Sequence, residues 1–415
     1  MEHSYENAEA LVRAVRSATA EPLVEFVGSL IKQQYALSYV YQLAQHALAF
    51  ERWCEDRRIS FHALKDDDIA RYQRFRSRHR SRCFETRRRE LHALELLIGY
   101  LRDKGVCPAA PAHATAADEV VEEFVQSLRR DQGLAVMTIE SYARMARKFL
   151  VWRFGHGDVC LRDVRAVDAY SFIQSEAKRM GPPALKTVVT ALRSFLRYAQ
   201  FRGEVTAGLA LSVPAVAGWT STPQIPRAIS AEHAQRAIDS CDRQTPVGRR
   251  DRAVLLILAR LGLRACEIVR LTLDDVDWDH AQLRVCGKGG RESILPLTAD
   301  VGEAIAAYLR HGRPTSPDRH LFLRSVAPIR GLMEGSDGIG TIVRHALNRA
   351  QVDAPHHGSH QFRHALAVRM LQLGASLPEI GRVLRHRSPQ STSLYAKVDL
   401  CKLRTLAMAW PGGVR

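Results

Sequence analysis

The sequence predicts a mainly α-helical protein of three modules, the last of which adds a small β-hairpin. Apolar residues recur at three- and four-residue spacing through most of the chain, as at Phe124 and Leu128, which is typical of amphipathic helices. Two stretches rich in Pro and Ala interrupt this pattern, and two short alternating segments flank a glycine-rich turn. At 415 residues and 46% hydrophobic content, the chain is long enough for several packed cores.

Two linkers divide the chain. The segments 107–117 and 213–226 are rich in Pro, Ala, Gly, Ser and Thr, which favour extended chain over helix. Three modules are therefore predicted, at residues 20–106, 118–212 and 227–415.

The first two modules share identities at a constant offset of 98 residues. The matched positions are Glu25, Phe26, Val27, Ser29, Leu30, Tyr72, Leu94, Tyr100 and Gly105, which recur as Glu123, Phe124, Val125, Ser127, Leu128, Tyr170, Leu192, Tyr198 and Gly203. Chance identities between helical segments are the alternative, but a clustered run at one offset favours an internal duplication.

The charge of the chain favours a polyanionic partner. Lys and Arg outnumber Asp and Glu by 60 to 44, which gives a formal net charge of +16. Nucleic acid is the simplest such partner, although a ribosome or an acidic membrane would fit the charge equally well. The N-terminus has no apolar core of signal length and no long uncharged apolar run occurs, so a cytoplasmic protein without membrane association is expected. The eight cysteines form no C-x-x-C pair, which favours reduced thiols over disulfides or a zinc site.

Basic residues concentrate in one part of the first module. Arginine binds phosphate oxygens through two donors at once, so a dense run of arginines predicts a DNA-binding surface. Only Glu85 lies inside the run, although a solvated helix with acidic partners elsewhere is the alternative. The predicted DNA-contact residues are Arg71, Arg74, Arg76, Arg78, Arg80, Arg82, Arg87 and Arg88, with Arg144, Arg147, Lys148 and Lys186 in the second module.

The third module carries a helical pair and a hairpin lysine. Arg264 and Glu267 lie three residues apart on one predicted helical face, after a break at Gly262. Such a pair is usually a surface ion pair and alone carries little functional weight. Lys288 lies between glycines at the tip of a hairpin predicted over residues 282–286 and 293–297. There it is either mobile enough to reach a site or part of a soluble turn.

A further helix, opened by Ser359, is predicted to place His360 and Arg363 one turn apart near its N-terminus. Free backbone N–H groups and the helix dipole favour an anion at that end. His360 and His364 also have the i, i+4 spacing of zinc ligands, with two further histidines nearby. No third ligand is evident, so no metal is predicted.

His386 and Tyr395 complete an ordered set whose residue types suit attack by a tyrosine on a phosphodiester. Arg264 and Arg363 would neutralise the charge that builds on the non-bridging oxygens, with a hydrogen bond from His386. A cationic site would also favour the ionised form of Tyr395, because the ordinary pKa of tyrosine is about 10.

The remaining two members of the set handle protons in this scheme. His360 is the nearby base or proton relay, and Lys288 is suited to protonate the departing 5′ oxygen. The scheme requires no metal, cofactor or ATP.

Residues 227–400 resemble the catalytic domain of the tyrosine recombinase (phage integrase) family. The matching stretches, in the family's order and spacing, are LGLRACEIVRL, VCGKGGRESILPL, SHQFRHALA and LRHRSPQSTSLYAKV. The resemblance implies that Tyr395 forms a 3′-phosphotyrosyl bond and that Arg264 and Arg363 bind the scissile phosphate. It implies supporting roles for Glu267 beside the first arginine, for Lys288 as hairpin acid, and for His360 and His386 as the two family histidines.

The resemblance extends, more weakly, to residues 118–212, which are similar to the family's helical core-binding domain. Together the two domains would close a C-shaped clamp around duplex DNA. Residues 20–106 look like an additional core-binding-like copy. Two local departures stand out: Arg385 occupies the usual glycine position before the late histidine, and Phe362 replaces the usual leucine before Arg363.

The predicted function is that of a site-specific DNA recombinase or integrase, serving a mobile element through integration, excision or transposition. Double-stranded DNA is the predicted partner, with a homo-oligomer, a tetramer on two DNA sites, in a nucleoid-associated location. Whether helper proteins take part, and whether the C-terminal segment docks on its own domain or on a neighbouring protomer, is left open. The alternatives are a type IB topoisomerase-like DNA-relaxing enzyme and a catalytically silent DNA-binding accessory protein.

Overall fold

The computed structural model describes residues 8–16, 21–79, 84–108, 115–155, 157–216, 229–287, 290–332, 338–354 and 356–398. Across these residues the chain is mostly helical, with a three-stranded antiparallel sheet. The predicted fold class, mainly α with a small sheet, is therefore confirmed. None of the described helices is both long and apolar enough to cross a membrane.

Five helices near the N-terminus enclose a first hydrophobic cluster. Apolar side chains such as Leu23, Phe50 and Leu97 are almost fully buried in it. The elements are α1 (Ala8–Arg16), α2 (Glu21–Lys32), α3 (Leu37–Glu55), a 3-10 turn (Phe61–Ala63), α4 (Asp66–His79) and α5 (Phe84–Asp103).

A second set of helices forms a compact unit of its own within residues 111–222. Its first helix begins at a capping box, in which the backbone N–H of Asp118 donates to Thr115 Oγ1 and that of Thr115 donates to the Asp118 carboxylate. Phe124, Phe149 and Phe195 lie in its core. The elements are α6 (Ala116–Arg130), α7 (Val136–Phe154), a 3-10 turn (Leu161–Asp163), α8 (Ala166–Ala177), α9 (Pro182–Phe201) and α10 (Leu209–Ser212).

The order of elements from α2 to α5 is the same as that from α6 to α9. Tyr100 Oη donates to the Glu25 carboxylate at 3.2 Å, and Tyr198 Oη donates to the Glu123 carboxylate at 3.4 Å. Stacked rings also match, with centroids 6.2 and 6.4 Å apart in the pairs Phe50 with Trp53 and Phe149 with Trp152. The same helix order and contacts thus occur twice, while the module boundaries and the DNA-binding role of the first set stay predictions.

The remaining described residues build a helical region around the largest hydrophobic cluster, which includes Leu255, Ile268 and Phe362. Residues 1–110 and 223–415 group into one compact unit. The helices are α11 (Ala231–Asp239), α12 (Pro246–Leu256), α13 (Ala265–Arg270), α14 (Ala299–His311), α15 (Ile339–Arg349), α16 (His360–Gln372), α17 (Leu377–Val383) and α18 (Pro389–Ser393). Shorter turns are a π-helical turn (Ile257–Leu261) and two 3-10 turns (Leu273–Asp275 and Leu394–Val398).

The sheet contains the predicted hairpin. Its strands are β1 (Val276–Asp277), β2 (Gln282–Cys286) and β3 (Glu292–Pro296), in the order β1-β2-β3. Leu283 and Val285 point into the core while their neighbours on β2 are exposed, and Leu283 pairs with Leu295. The returning strand begins one residue earlier than predicted. The additional strand β1 has only two residues, too few to produce an alternating pattern.

The break predicted at Gly262 sets the direction of the chain into the site. The π-helical turn that follows α12 ends at Gly262, whose φ is 60°. A Cβ atom at this position would lie 2.8 Å from Leu384 Cδ2. The left-handed backbone and the close approach of Leu384 both favour glycine, and the turn brings Arg264 to the start of α13.

Candidate active site around Tyr395

Arg264 and the buried Glu267 form a pair at the start of α13. The backbone N–H of Arg264 donates to Glu267 Oε2, and its Nη1 donates to Oε1, each at 2.8 Å. Glutamate at the third helical position receives the N-terminal N–H in this way, which explains the spacing. Glu267 is 2% exposed, so the pair is not the surface ion pair that its sequence alone would suggest.

A second arginine, Arg385, reaches the same carboxylate. Its Nη2 donates to Glu267 Oε2 at 2.8 Å, from a segment 118 residues further along the chain. Burial by itself would raise the pKa of Glu267. The hydrogen bond from the Arg264 backbone and the Arg385 and Arg264 guanidiniums outweigh this effect, so the pKa is lowered and the carboxylate stays ionised.

Arg363 joins two backbone segments. It is 3% exposed, and its guanidinium donates to the carbonyl oxygens of Gly262 and Leu384. Its pKa is lowered to about 10, mainly because the side chain is buried and secondly because Arg264 and Arg385 repel its charge. The side chain therefore remains charged at neutral pH and fixes the backbone on both sides of the site.

Tyr395 is enclosed in the protein and hydrogen-bonded to a histidine. It lies in the 3-10 turn after α18, is 1% exposed, and its hydroxyl oxygen is 2.8 Å from His364 Nδ1. Burial raises the pKa of Tyr395, and the Arg363 guanidinium offsets this only in part. The nearby cation favours the ionised tyrosine, as expected, but desolvation exceeds this attraction, so the pKa of Tyr395 is raised overall.

His386 packs parallel to the tyrosine ring. The two ring centroids are 6.4 Å apart with an interplanar angle of 6°, and His386 Nδ1 lies 2.7 Å from Thr392 Oγ1. Burial, followed by the charges of Arg363 and Arg264, lowers the pKa of His386 to about 4. The ring is therefore neutral at pH 7 and carries one N–H donor.

His360 is the first residue of α16 and lies on the exposed side of the site. Partial desolvation, followed by repulsion from Arg363 and Arg264, lowers its pKa. Ser359 precedes the helix, as predicted, but its side chain makes no capping hydrogen bond. A neutral His360 is suited to accept a proton.

His364 is a site residue that the sequence suggested only as a metal-ligand candidate. Its ring centroid lies 6.3 Å from that of His360, and its pKa is lowered by burial, by His360 and by Arg363. Within the described parts of the chain, no group of three metal-binding side chains occurs. The feature of the sequence that could have indicated the contact of His364 with Tyr395 is its position one turn after His360, on the same face of the helix.

Lys288 lies outside the described residues. The strand that leads to it nevertheless ends beside the site, since a Cβ on Gly287 would lie 3.8 Å from Glu267 Oε1. The proposed role of Lys288 stays a prediction. The segment from residue 399 onward, predicted to dock in cis or in trans, also lies outside the described residues.

The basic residues predicted to contact DNA have intramolecular acidic partners in several cases. Arg71 and Arg74 pair with Asp67, and Arg76 pairs with the buried Glu90. The run of arginines is therefore more balanced than its own sequence suggests, because the carboxylates lie just outside it.

In the second module Arg147 and Lys148 have the same kind of partner, Asp118 and Glu176 respectively. Among the described residues of the whole predicted set, the exposed ones are Arg71, Arg74, Arg88, Arg144, Arg147 and Lys186. The side chains of Arg78, Arg80, Arg82 and Arg87 lie outside the described residues. DNA contact by this whole set stays a prediction.

Known proteins resemble this chain in sequence and in fold. Residues 227–400 match the family model described as the phage integrase family. The chain is 42% identical over 406 residues to "Putative integrase/recombinase y4rA" of Sinorhizobium fredii (strain NBRC 101917 / NGR234), with 97% of each chain covered. It is 27% identical over 299 residues to the tyrosine recombinase XerD of Ralstonia nicotianae (strain ATCC BAA-1114 / GMI1000), covering 70% of this chain and 93% of the relative.

Among solved structures, that of the XerH site-specific recombinase bound to palindromic difH substrate in a post-cleavage complex matches with a TM-score of 0.53. The two sequences are 18% identical, and the match covers 85% of this chain and 99% of the other. At this identity the likeness shows a shared fold.

Proposed function

Because the chain belongs to the phage integrase family of tyrosine recombinases, we propose that it cuts and rejoins DNA at specific sites through Tyr395. As a member of this family it is a DNA strand transferase. The observation that carries the role of Tyr395 is its place against His364 and His386, next to the charged Arg363. A tyrosine that served packing alone would not require this group of proton acceptors and cations.

In the proposed reaction, the Tyr395 oxygen attacks the scissile phosphorus and a bond forms between them. The bond from phosphorus to the 5′ oxygen breaks, which leaves a 3′-phosphotyrosyl link and a free 5′ hydroxyl. Arg264 and Arg363 neutralise the charge on the non-bridging oxygens. Attack by the free 5′ hydroxyl of a second strand reverses these steps, so the energy of the bond is retained and no ATP is consumed.

Two proton transfers balance the reaction. The proton of the Tyr395 hydroxyl passes to a neutral histidine, for which His364 is within hydrogen-bond reach and His360 lies one turn away. Lys288 supplies a proton to the 5′ oxygen. Because Tyr395 is 1% exposed, the turn that carries it must move before its oxygen meets a phosphate.

Duplex DNA is the partner that this chemistry requires. The XerH structure contains its difH DNA substrate, and the net charge of +16 supports the same kind of partner here. Exchange between two duplexes breaks four strands, so we propose a tetramer on two sites, acting at the nucleoid. The similarity to a protein named integrase/recombinase supports a role in moving a DNA element.

Suicide substrates test this proposal. DNA fragments from around the gene, nicked near candidate sites, would be incubated with the wild type and with Tyr395→Phe, and covalent complexes would be separated after denaturation. We expect an adduct with the wild type alone, while both proteins bind the fragments equally well. Binding by the wild type without any adduct would instead indicate an accessory protein, and relaxation of supercoiled DNA without exchange would indicate a topoisomerase.

A further inference from the structure

Two arginine bridges connect the segment around Gly262 with the segment around Leu384. Arg363 donates to the carbonyl oxygens of both residues, as described above. Arg385, the next residue after Leu384, donates to Glu267 Oε2 at 2.8 Å. The Glu267 carboxylate also accepts hydrogen bonds from Arg264.

The backbone at Arg385 is strained. Its φ is 52°, in the left-handed region that residues with a side chain rarely adopt. Glycine would adopt this conformation without strain, so the arginine side chain must provide compensating contacts. That side chain is 13% exposed and is directed to Glu267.

The Arg385 guanidinium is only partly satisfied. Its Nε and Nη1 atoms are buried and have no hydrogen-bond partner among the described residues. Buried donors without acceptors cost free energy, more so when they are charged. A side chain held in this state for packing alone would be unfavourable, whereas a site that receives an anion gains from the charge.

The positive charges around Glu267 outnumber its single negative charge. Arg264, Arg363 and Arg385 contribute three positive charges, and Glu267 contributes one negative charge. Without Arg385, Glu267 would neutralise Arg264 as a simple ion pair. With Arg385, the carboxylate is shared, and Arg264 keeps more of its attraction for an anion.

We propose that Arg385 is a positioning residue for strand cleavage. It shares the Glu267 carboxylate with Arg264, so the Arg264 guanidinium is held in place. The positive charge of that guanidinium is then only partly neutralised and can bind the scissile phosphate. This inference rests on the proposed function of the site. Arg385 is not required to touch the DNA; it acts through the carboxylate.

The test compares Arg385→Gly and Arg385→Lys with the wild type in single-turnover cleavage of a suicide substrate. Arg385→Gly relieves the backbone strain but removes the bond to Glu267, so its melting temperature should stay close to that of the wild type. We expect its cleavage rate to fall by about 10- to 100-fold, the range for losing a residue that orients a catalytic group, with unchanged DNA affinity. Arg385→Lys retains the charge and should recover part of the rate. Arg382→Ala removes an exposed charge three residues away and should react like the wild type.

A substrate with a methylphosphonate at the cleavage position separates an electrostatic role from a structural one. This group lacks one negative oxygen, so less positive charge is needed to stabilise the transition state. The rate loss of Arg385→Gly should therefore be several-fold smaller on methylphosphonate than on phosphate DNA. Equal losses on both substrates, or wild-type rates for Arg385→Gly, would overturn the inference. A wild type that forms no Tyr395-dependent adduct would overturn the proposed function itself, which is a separate and visible outcome.

Discussion

His364 Nδ1 lies 2.8 Å from the hydroxyl oxygen of Tyr395, and this contact satisfies the only polar atom of an almost fully buried tyrosine side chain. The bond also holds the tyrosine in its enclosed position. His364 therefore affects both the stability of the fold and the position of the Tyr395 hydroxyl.

The strength of this bond can be measured directly. His364→Phe retains an aromatic ring but leaves the Tyr395 hydroxyl without its partner, so we expect a loss of about 1–3 kcal/mol in the free energy of unfolding. Urea denaturation of the wild type, His364→Phe, Tyr395→Phe and the double variant gives a double-mutant cycle for this hydrogen bond. The double variant, with neither polar group, should be less destabilised than the sum of the two single variants. Additive losses would show that the bond contributes nothing.

Protonation of His386 should lower the stability of the folded protein. Burial and the nearby arginines lower its pKa from 6.5 to about 4, so between these values the unfolded chain binds a proton that the folded chain does not. The free energy of unfolding therefore falls as the pH decreases through this window, by on the order of 2 kcal/mol from this group. Chemical denaturation at several pH values, compared with His386→Asn, isolates the contribution. Parallel pH curves for the two proteins would contradict it.

Removing the charge of Glu267 should be costly. Glu267→Gln leaves the partly buried Arg264 and Arg385 without a counterion, and we expect a loss of about 3 kcal/mol in the free energy of unfolding. Asp274→Asn is a matched control, because Asp274 pairs with Arg319 on the exposed surface and should be nearly neutral. If the two variants were equally stable, the buried cluster would not be held by its charges.

Two glycines provide a matched test of the backbone. Gly262→Ala introduces a Cβ 2.8 Å from Leu384 Cδ2 at a φ of 60°, and should cost at least about 2 kcal/mol. Gly99 lies inside α5, where an added Cβ meets nothing within 4 Å. Gly99→Ala should therefore stabilise the protein by about 0.5–1 kcal/mol. Thermal denaturation of both variants is sufficient, and a stable Gly262→Ala would contradict the proposed close approach.

Much of the site follows from sequence because each residue belongs to a local motif. The three-residue spacing of Arg264 and Glu267, the hairpin before Lys288 and the helix with His360 and Arg363 all depend on nearest neighbours in the chain. The remaining features depend on distant contacts. The hydrogen bond between His364 and Tyr395 and the bond from Arg385 to Glu267 join residues 31 and 118 positions apart, which no periodicity encodes.

The same reason explains two features of the site and of the arginine run that the sequence alone does not report. The pKa of Tyr395 depends on its burial, which is a property of the packed helices and not of the charges listed along the chain. One acidic partner of the arginine run also reaches it across the helical packing, since Glu90 of α5 pairs with Arg76 of α4. The composition of a segment shows how many charged residues it has, whereas the fold determines which of them form ion pairs.

Arg363 has five N–H donors, and its bonds to the carbonyl oxygens of Gly262 and Leu384 leave others for a ligand. One side chain thus joins two backbone segments and, in the proposed reaction, also binds the phosphate. Any replacement at this position removes both properties together, and lysine, with a single nitrogen, cannot span the two carbonyls in the same way. An inactive Arg363 variant would therefore report a broken scaffold as readily as a lost chemical step, which makes this position the least informative one for dissecting the reaction.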